Sequence, residues 1–359
     1  MLIVRSPVRI SFGGGGTDLP AYYEKYGGAV LNATINKYFY TILTKRGDDK
    51  IQVISSDLRW NETWEDIACM DIAGQPLDIP LAVMKHLAVR VPLNLFLASE
   101  IPPGTGLGSS ASVCVSILKA LAVYMQLPLT KHDLAKMAFH ISRDLLGMPV
   151  GKQDEYAAAF GGLNYFLFHE DGRDSVNPLE LPAEVFLELQ DNLMLFFTGA
   201  SHDSRTILKS QEQATKQSAS TAVDSLHQIR LLAGEMRAAL LESNLKEFGH
   251  LLDEAWQAKR RVSSKISNPW IDHLYETARQ SGALGGKITG AGGGGFLLLY
   301  CEKDCQAKVR EALGKDGLRE LGFEFDLEGA RILVNDPFLD GDARCGLRWT
   351  LTPCAEVPA

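Results

Sequence analysis

Hydrophobic and polar positions alternate along several stretches of the N-terminal half, and this pattern predicts strands. Residues 2–12 alternate and end at a run of four glycines, which predicts a short strand followed by a turn. Residues 28–45 are rich in β-branched and aromatic types and predict a strand, a turn and a second strand. Residues 92–101 place leucine at alternate positions, which predicts a half-buried strand. Further short strands are expected at 51–56 and 163–168.

Helical periodicity begins directly after a glycine-rich loop in the middle of this half. Apolar residues recur every four positions from 113 to 125 and predict a long, largely apolar helix capped by serine. Thr130 and Asp133 have the spacing of a capping box, which predicts the start of another helix. Residues 57–80 contain two tryptophans, several acids and two prolines, and they predict an irregular connection.

The C-terminal half is dominated by predicted helices. Asn268-Pro269 is a strong start signal, because Asn caps helices and Pro suits the first helical position. Further helices are expected at 222–242, 244–262 and 304–314, and strands at 192–197, 296–300 and 329–334.

One domain boundary is predicted near residue 190. The stretch 170–191 is acidic, contains two prolines and lies between two predicted strands. The length of 359 residues fits two domains of roughly 150 residues or more each. We therefore expect an α+β protein with an N-terminal domain over residues 1–190 and a C-terminal domain over 191–359.

Charge limits the partners of the chain. Lys and Arg number 36 and Asp and Glu 44, which gives a net charge of −8. This acidic excess argues against a general affinity for nucleic acid or for an anionic membrane, although it allows a small local anion site. A small-molecule substrate is the expected partner, and a homo-oligomer is compatible with the sequence.

Cysteine usage and hydropathy favour a cytoplasmic protein. The six cysteines form no CxxC pair, which indicates reduced thiols, and no His/Cys cluster has zinc spacing. The apolar stretch at the N-terminus is too short for a signal peptide. The longest apolar runs, such as 296–301, are too short to span a bilayer.

The central glycine cluster, PPGTGLGSSAS at 102–112, has the layout of an anion cradle. Glycines let backbone N–H groups turn towards a phosphate, and the following helix adds the positive end of its dipole. Ser109 and Ser110 can contribute hydroxyls to a phosphate oxygen or to magnesium. The spacing fits neither a Walker A loop nor a Rossmann fingerprint. The alternative is a glycine-rich turn with an ordinary serine cap.

Two further glycine clusters flank predicted strands. The segment RISFGGGGTD places Arg9 on a strand and Asp18 just after a turn, where a carboxylate could accept hydrogen bonds from a polyol. The alternative is an ordinary ion pair of Arg9 beside a flexible turn. Residues 287–295 include four consecutive glycines, which are costly in chain entropy. They are useful where the backbone passes close to another loop or a ligand.

A candidate base lies between these clusters, in Gly151-Lys152-Gln153-Asp154. Asp154 at the start of a short helix could take a proton from a substrate hydroxyl, and Lys152 beside it would keep it ionised. The alternative is that Asp154 only provides a negative charge at a helix N-terminus.

Taken in order, these segments resemble the GHMP kinase superfamily. The resemblance rests on RSPVRISFGGGGTDLP (5–20), PPGTGLGSSAS (102–112), GKQDEYAAAFGG (151–162) and KITGAGGGGF (287–296). Within the superfamily, the chain is most similar to bacterial sugar kinases that act on D-glycero-D-manno-heptose 7-phosphate. The resemblance implies a ribosomal-protein-S5-like N-terminal α/β domain and a ferredoxin-like C-terminal α+β domain, with the active site between them.

The resemblance also implies an activity. An ATP-dependent carbohydrate kinase of this branch would transfer the γ-phosphoryl group of ATP, with Mg²⁺, to the anomeric hydroxyl of the heptose 7-phosphate. The product would be the 1,7-bisphosphate, on the way to nucleotide-activated heptose for surface polysaccharide such as capsule or lipopolysaccharide.

Roles for individual residues follow from the resemblance. Asp154 would be the catalytic aspartate and Arg9 the cation near the reacting hydroxyl. ATP would be held by the central loop, namely Pro103, Gly104, Thr105, Gly106, Leu107, Gly108, Ser109, Ser110 and Ala111. The sugar would contact Gly14, Gly15, Gly16, Thr17, Asp18, Lys152, Gly290, Ala291, Gly292 and Gly293. Magnesium would be bound by Ser110 and by Asp144, which stands near the position where many members carry a glutamate.

Several alternatives stay open at this point. The acceptor could instead be an unphosphorylated hexose such as fucose, mannose or galactose, or the fold could serve as a catalytically silent sensor. A phosphorylated acceptor needs a second anion site. Candidates are the basic run Lys259, Arg260, Arg261 and Lys265, which could equally be a solvated helix face, and the group His202, Asp203 and Arg205.

Overall fold

The computed structural model describes residues 1–66, 72, 77–199, 204–217 and 220–336. The twelve strands within these ranges are β1 (Leu2–Gly13), β2 (Gly28–Lys45), β3 (Ile51–Ser55), β4 (Trp60–Trp64), β5 (Leu93–Ser99), β6 (Leu163–Phe168), β7 (Asp174–Pro178), β8 (Leu193–Phe197), β9 (Gly285–Ile288), β10 (Phe296–Tyr300), β11 (Arg319–Glu320) and β12 (Arg331–Asn335).

Eleven α-helices occupy the same described ranges, and one π-helical turn at 141–145 follows the fourth of them. The helices are α1 (Pro20–Tyr26), α2 (Asp78–His86), α3 (Ser109–Tyr124), α4 (Lys131–His140), α5 (Gln153–Phe160), α6 (Ala183–Asn192), α7 (Ser204–Lys216), α8 (Ser220–Leu241), α9 (Leu245–Val262), α10 (Pro269–Gln280) and α11 (Lys303–Lys315).

Strand β2 organises the larger, eight-stranded sheet. It pairs with β1 over most of its length, and its other edge pairs first with β6 and then with β5. Beyond β5 lie β3 and β4, and β7 extends the sheet beyond β6. The turn predicted inside 28–45 is therefore wrong, because an 18-residue strand with different partners for its two halves runs straight through.

The smaller sheet has the order β11-β8-β10-β9 and is antiparallel throughout. Its central strands β8 and β10 are almost entirely buried, as expected for short apolar runs covered on both faces. The boundary near 190 remains a prediction. Strand β8 opens the smaller sheet at residue 193, but β12, which follows the smaller sheet in the chain, pairs with β1 in the larger sheet.

Strand β1 contributes to two hydrophobic cores. Leu2 and Val4 pack in a core formed with α2, α3, α4 and α5. Val8, Ile10 and Phe12 pack in a second core formed with α8, α9 and α10 and the smaller sheet. The register between β1 and β2 shifts between Pro7 and Val8, at the transition from one core to the other. Residues near this transition therefore face the junction between the two cores.

The structure corrects two further local predictions, the serine cap and the irregular connection at 57–80, and shows which elements lie before the predicted domain boundary. Residue Gly108, in left-handed conformation, is the N-cap of α3, and no side chain caps this helix, so the predicted serine cap is wrong. The stretch 57–80 contains β4, and the stretch 170–191 contains β7 and most of α6. The capping box of α4 is confirmed by reciprocal hydrogen bonds between Thr130 and Asp133.

Candidate functional site

The loop between β5 and α3 is built to expose backbone N–H groups. Gly104, Gly106 and Gly108 have φ angles of +74°, +81° and +79°, a left-handed conformation that L side chains rarely adopt. Alternation of such residues with ordinary ones produces an anion-binding concavity. Helix α3 starts directly after it, and the hydroxyls of Ser109 and Ser110 form no hydrogen bond within the described part of the chain. The loop therefore offers donors to an anion from backbone and side chains.

Arg9 ties this loop to Asp154. Its Nε and Nη2 each donate to a different carboxylate oxygen of Asp154 at 2.7 Å, and the Arg9 side chain is only 4% exposed. The remaining guanidinium nitrogen, Nη1, donates to the carbonyl of Gly106 at 2.6 Å. The backbone N–H of Arg9 donates to the carbonyl of Leu107 at 2.9 Å. The bidentate pair fixes the orientation of the Asp154 carboxylate at the edge of the loop.

The ionic partner of Asp154 is therefore Arg9 and not Lys152. Lys152 Nζ donates to Asp174 Oδ1 on β7 at 2.7 Å and lies over the Tyr23 ring at 4.5 Å. Helix α5 begins at Gln153, so Lys152 precedes the helix and its side chain leaves in another direction. Proximity in sequence did not translate into proximity of the charged groups.

Asp18 supports the first glycine turn from inside. One carboxylate oxygen accepts from the N–H of Gly16 at 2.8 Å, and the other accepts from the N–H of Gln153 at 3.2 Å. Burial, and next the nearby charge of Asp154, raise the pKa of Asp18 above its usual value. The carboxylate thus links the glycine turn to the start of α5, which carries Asp154.

The third glycine cluster packs on the anion-binding loop. A Cβ atom on Gly290 would lie 2.7 Å from Gly106 Cα, and one on Gly295 would lie 2.3 Å from the carbonyl oxygen of Thr105. Both glycines also have positive φ angles, +71° and +91°. Only glycine allows this approach of two backbones, which explains the cluster that chain entropy alone disfavours.

These segments enclose a cavity of about 140 Å³. It is lined by Arg9, Gly15, Gly16, Asp18, Leu19, Gly104, Gly106, Gly108, Ser109, Ser110, Met148, Pro149, Val150, Gly151, Gln153, Asp154, Arg205, Leu208, Lys259, Gly290 and Ala291. We call it the acceptor cavity, after the sugar-binding role that the resemblance implies for several of these residues.

A second cavity of about 190 Å³ opens on the other side of Ser109 and Ser110. We call it the donor cavity, because it borders the loop to which the resemblance assigns ATP. Sequence reasoning missed it, because its walls come from six separate elements, β2, β3, α2, β5, α3 and α7. Most of its lining residues are apolar, namely Phe39, Leu58, Leu77, Ile79, Pro80, Leu97, Ile101, Pro103 and Val113. The polar ones are Ser55, Asp57, Asp78, Ser99, Ser109, Ser110 and Arg205.

The predicted site residues divide into those that reach a cavity and those that support it. Of the predicted substrate residues, Gly15, Gly16, Asp18, Gly290 and Ala291 line the acceptor cavity. The remainder, Gly14, Thr17, Lys152, Gly292 and Gly293, do not line it. Thr105, Leu107 and Ala111 are buried beneath the loop. Thr17 Oγ1 donates to the carbonyl of Gly14 at 2.8 Å and accepts from the N–H of Ala29 at 3.1 Å, so it holds the turn together.

The structure does not bring Asp144 to Ser110. Asp144 Oδ2 pairs with His140 Nδ1 at 2.7 Å, its side chain is 57% exposed, and it lines neither cavity. Within the described ranges, no group of three or more His, Cys, Asp or Glu side chains is placed to hold a metal. The donor set around Ser110 fits Mg²⁺ that is bound mainly through phosphate oxygens and water.

Sequence reasoning only half identified Lys259. Of the basic run, Lys259 alone lines the acceptor cavity, whereas Arg260 pairs with Asp272 at 2.8 Å and Arg261 donates to Gln228 at 2.7 Å. A usable signal exists in the sequence. Apolar residues at 248, 252, 255 and 262 mark the buried face of α9, and position 259 falls on the same face. His202 and Asp203 lie outside the described residues.

Comparisons with known proteins agree with this geometry. Residues 78–162 match the model of the GHMP kinases N terminal domain, and residues 236–318 match that of the GHMP kinases C terminal domain. The chain is 33% identical over 332 residues to the D-glycero-alpha-D-manno-heptose 7-phosphate kinase of Campylobacter jejuni, covering 91% of this chain and 97% of that protein.

Two further relatives are named as sugar kinases. A crystal structure of a D-glycero-D-manno-heptose 1-phosphate kinase from Bacteroides thetaiotaomicron superposes with a TM-score of 0.78 at 28% identity, over 94% of this chain and 100% of that one. The L-fucokinase/L-fucose-1-P guanylyltransferase of Bacteroides fragilis is 26% identical over 85% of this chain, which spans 35% of that longer protein.

The chain therefore belongs to the GHMP kinase family, and its fold is the expected pairing of the family's N- and C-terminal domains. Within that family it is an ATP-dependent carbohydrate kinase, as the sequence predicted. Among the described helices, none combines the length and the apolar character that a membrane span requires.

Proposed function

We propose that this kinase transfers the γ-phosphoryl group of ATP to the anomeric hydroxyl of D-glycero-D-manno-heptose 7-phosphate and releases ADP and the 1,7-bisphosphate. The observation that supports it most is the Arg9–Asp154 pair, held against the anion-binding loop at the wall of the acceptor cavity. The choice of heptose 7-phosphate follows the relative from Campylobacter jejuni.

The two cavities suggest how ATP is bound. The apolar donor cavity suits a purine ring and ribose, and the loop between the cavities suits the triphosphate. Backbone N–H groups of the loop and of the first turn of α3 would neutralise the β- and γ-phosphates. Ser109 and Ser110, which line both cavities, would meet the chain of phosphates where it passes from one to the other.

The acceptor hydroxyl would lie against Asp154. Its oxygen attacks the γ-phosphorus, the bond from that phosphorus to the β,γ-bridging oxygen breaks, and the hydroxyl proton passes to the Asp154 carboxylate. Arg9 holds this carboxylate in a fixed geometry and adds positive charge beside the transferring group. Positioning and charge neutralisation account for most of the catalysis in this kind of reaction.

Magnesium would be held at the Ser110 hydroxyl and by phosphate oxygens, where it would add charge neutralisation. Ser110 is exposed and without a partner in the described part of the chain, which leaves its hydroxyl available. Both carboxylate oxygens of Asp154 are occupied by Arg9, so a direct bond from Asp154 to the metal would compete with that pair.

The test is ATP consumption with Mg²⁺ against a panel of sugars and sugar phosphates, with phosphorus NMR of any product. We expect a new anomeric phosphate from heptose 7-phosphate. Turnover of a free hexose without turnover of the heptose phosphate would overturn the proposal and favour a fucokinase-like activity, consistent with the relative from Bacteroides fragilis. ATP binding without turnover of any acceptor would favour a catalytically silent sensor.

A further inference from the structure

A buried lysine with no carboxylate partner lies in the wall of the acceptor cavity. Lys259 projects from α9, is 5% exposed and lines the cavity. Its Nζ donates to the carbonyl of Gly15 at 3.0 Å and to Gln211 Oε1 at 3.2 Å, both uncharged acceptors. Across the described ranges it forms no salt bridge. An ammonium group has three donors, so one of them is still available.

The surroundings of Lys259 do not neutralise its charge. The carboxylate of Asp18 is the nearby acid, and both its oxygens already accept backbone N–H groups. Lys287 on β9 and Arg9 on β1 add positive charge to the same interior, and Arg9 is matched by Asp154. A buried charge that is not fully paired is costly, and such a charge beside a cavity suits a ligand of opposite sign.

Unpaired polar atoms accompany this lysine. Gln211 is fully buried and its Nε2 has no partner, and Gln153, which lines the cavity, has an unpartnered Oε1. Buried polar atoms without partners are rare in folded proteins and call for an explanation. Lys259 has one free donor and Gln211 has the unpaired Nε2, and both could donate to oxygen atoms of a ligand. The unpaired Oε1 of Gln153 suits a hydroxyl group.

A series of contacts runs from the anion-binding loop past Asp154 to Lys259. A Cβ on Gly108 of the loop would lie 3.2 Å from the Asp154 carboxylate. Gln153, next to Asp154 on α5, donates its backbone N–H to Asp18, and Asp18 also accepts from the N–H of Gly16 in the glycine turn. A Cβ on Gly16 in that turn would lie 3.2 Å from Lys259 Nζ. Asp154 therefore lies between the loop and Lys259 in this series of contacts.

We propose that Lys259, assisted by Gln211, binds the phosphate group at the far end of the acceptor and thereby makes the kinase specific for phosphorylated sugars. The proposal rests on the proposed function. An acceptor whose anomeric hydroxyl contacts Asp154 extends away from the ATP phosphates, and its distal phosphate then meets the lysine. A sugar without this phosphate leaves the buried lysine unpaired, so the site rejects it.

The electrostatics agree with this role. Burial lowers the pKa of Lys259 to about 8, against the opposing attraction of Asp18. A phosphate dianion beside Nζ raises that pKa again, so that binding of the acceptor keeps the lysine charged. The free protein thus carries a lysine that gains more from an anion than a solvated lysine on the helix surface does.

The experiment compares D-glycero-D-manno-heptose and its 7-phosphate as acceptors in the full-length protein. Its readout is the ratio of the two kcat/KM values. In the wild type we expect a strong preference for the phosphate. In Lys259→Met the ratio should fall about 10- to 100-fold, the usual effect of losing a charge-assisted hydrogen bond. KM for ATP should stay unchanged. Arg261→Met, on the exposed side of the same helix, is the matched control and should keep the ratio.

A second variant protects the test against misfolding. Gln211→Glu has nearly the same shape and supplies Lys259 with an internal carboxylate partner, so it should reduce the ratio without removing the lysine. Lys259→Arg retains a cation and should recover part of the preference. Thermal melting checks that each variant is folded.

The outcomes separate the two proposals. A wild type that does not phosphorylate heptose 7-phosphate overturns the proposed function, and this inference with it. A wild type that prefers the phosphate, with folded Lys259→Met and Gln211→Glu variants that keep the same preference, overturns this inference alone. A fall of the ratio in both variants, with an unchanged ratio in Arg261→Met, supports it.

Discussion

The two ends of the candidate site are built from different chemical groups. At the donor end, the anion-binding loop offers glycines, backbone N–H groups and two serine hydroxyls. The third glycine cluster, between β9 and β10, packs on this loop. At the acceptor end, buried side chains converge from separate helices, with Lys259 from α9 and Gln211 from α7.

This difference corresponds to two tasks. In the proposed function, the phosphates of ATP would be recognised through the backbone, which tolerates many side chains but no Cβ atom at the contact points. The identity of the acceptor would depend on individual side chains, each of which can be exchanged without rebuilding the fold. Variants at the donor end should therefore act on stability and catalysis together, and variants at the acceptor end on selectivity.

The largest effect is expected where the two ends meet, in Asp154→Asn. The amide cannot accept the hydroxyl proton, so kcat should fall about 10²- to 10⁴-fold while ATP binding persists. Turnover with the best acceptor and ATP titration calorimetry measure the two quantities. Asp144→Asn is the control, since Asp144 pairs with His140 outside both cavities and should change kcat less than about twofold. A large loss in Asp144→Asn would restore Asp144 as a metal ligand.

A test of the backbone-built donor end is Gly290→Ala. The new Cβ would meet Gly106 Cα at 2.7 Å, and the φ angle of +71° adds strain. Unfolding free energy should fall by about 2 to 5 kcal/mol, with a weaker affinity for ATP. Gly317→Ala separates the two causes, because Gly317 also has a positive φ but no atom within 4 Å of its Cβ position. It should cost only about 1 to 2 kcal/mol. Equal losses of unfolding free energy in Gly290→Ala and Gly317→Ala, measured by urea titration, would show that the contact between the loops is unimportant.

Acceptor selectivity should depend on pH. Lys259 in the free protein loses its proton as pH rises through about 8, so kcat/KM for the sugar phosphate should fall above that pH by up to about tenfold per unit. The sugar phosphate stays dianionic there, because its second pKa is near 6. Asp18, Lys287 and Arg9 share the same interior. Lys259→Arg should flatten the profile, since arginine stays charged. An unchanged slope in Lys259→Arg would assign the titration to another of these groups.

The smallest effect is expected at Lys287, a buried lysine that does not line the acceptor cavity. Burial first, then the charges of Lys259 and Arg9, lower its pKa to about 7. The folded protein therefore releases this proton near pH 7, whereas the unfolded chain keeps it up to about pH 10.5. The buried charge destabilises the fold below pH 7, and this penalty disappears as pH rises between those values. Lys287→Met should stabilise the protein by about 1 kcal/mol or more below pH 7. The gain should shrink as pH rises. Chemical denaturation at pH 6 and pH 9 measures it, and a destabilised variant at pH 6 would contradict the argument.

The anion-binding loop at the donor end could be predicted from sequence because its signals are local, whereas the donor cavity beside it was missed. Three glycines at alternate positions, two serines and a following apolar helix stand within 20 residues, and local backbone conformation depends on such neighbours. Gly290 opposite the loop was also expected, through the resemblance. The serine cap was wrong because Gly108, in left-handed conformation, already occupies the cap position.

The acceptor end could not be predicted to the same depth, because its contacts join distant parts of the chain. Lys259 and Gly15 are 244 positions apart, and Lys259 and Gln211 are 48 apart. Lys152 shows the opposite error: its position beside Asp154 in sequence suggested a pairing, yet it bonds to Asp174 on β7. The apolar spacing of α9 was a partial signal, since it places Lys259 on the buried face, but it does not reveal what that face meets.

Strand β12 has a consequence for how the protein is made. It pairs with the first four residues of β1, so one edge of the larger sheet stays open until about 330 residues of chain have been synthesised. At translation rates of about 5 to 20 residues per second, that edge waits roughly 20 to 60 s for its partner. During this time an unpaired strand edge is prone to pair with other chains. Pairing of β12 therefore removes an aggregation-prone edge late in synthesis, after the last strand of the smaller sheet has been made.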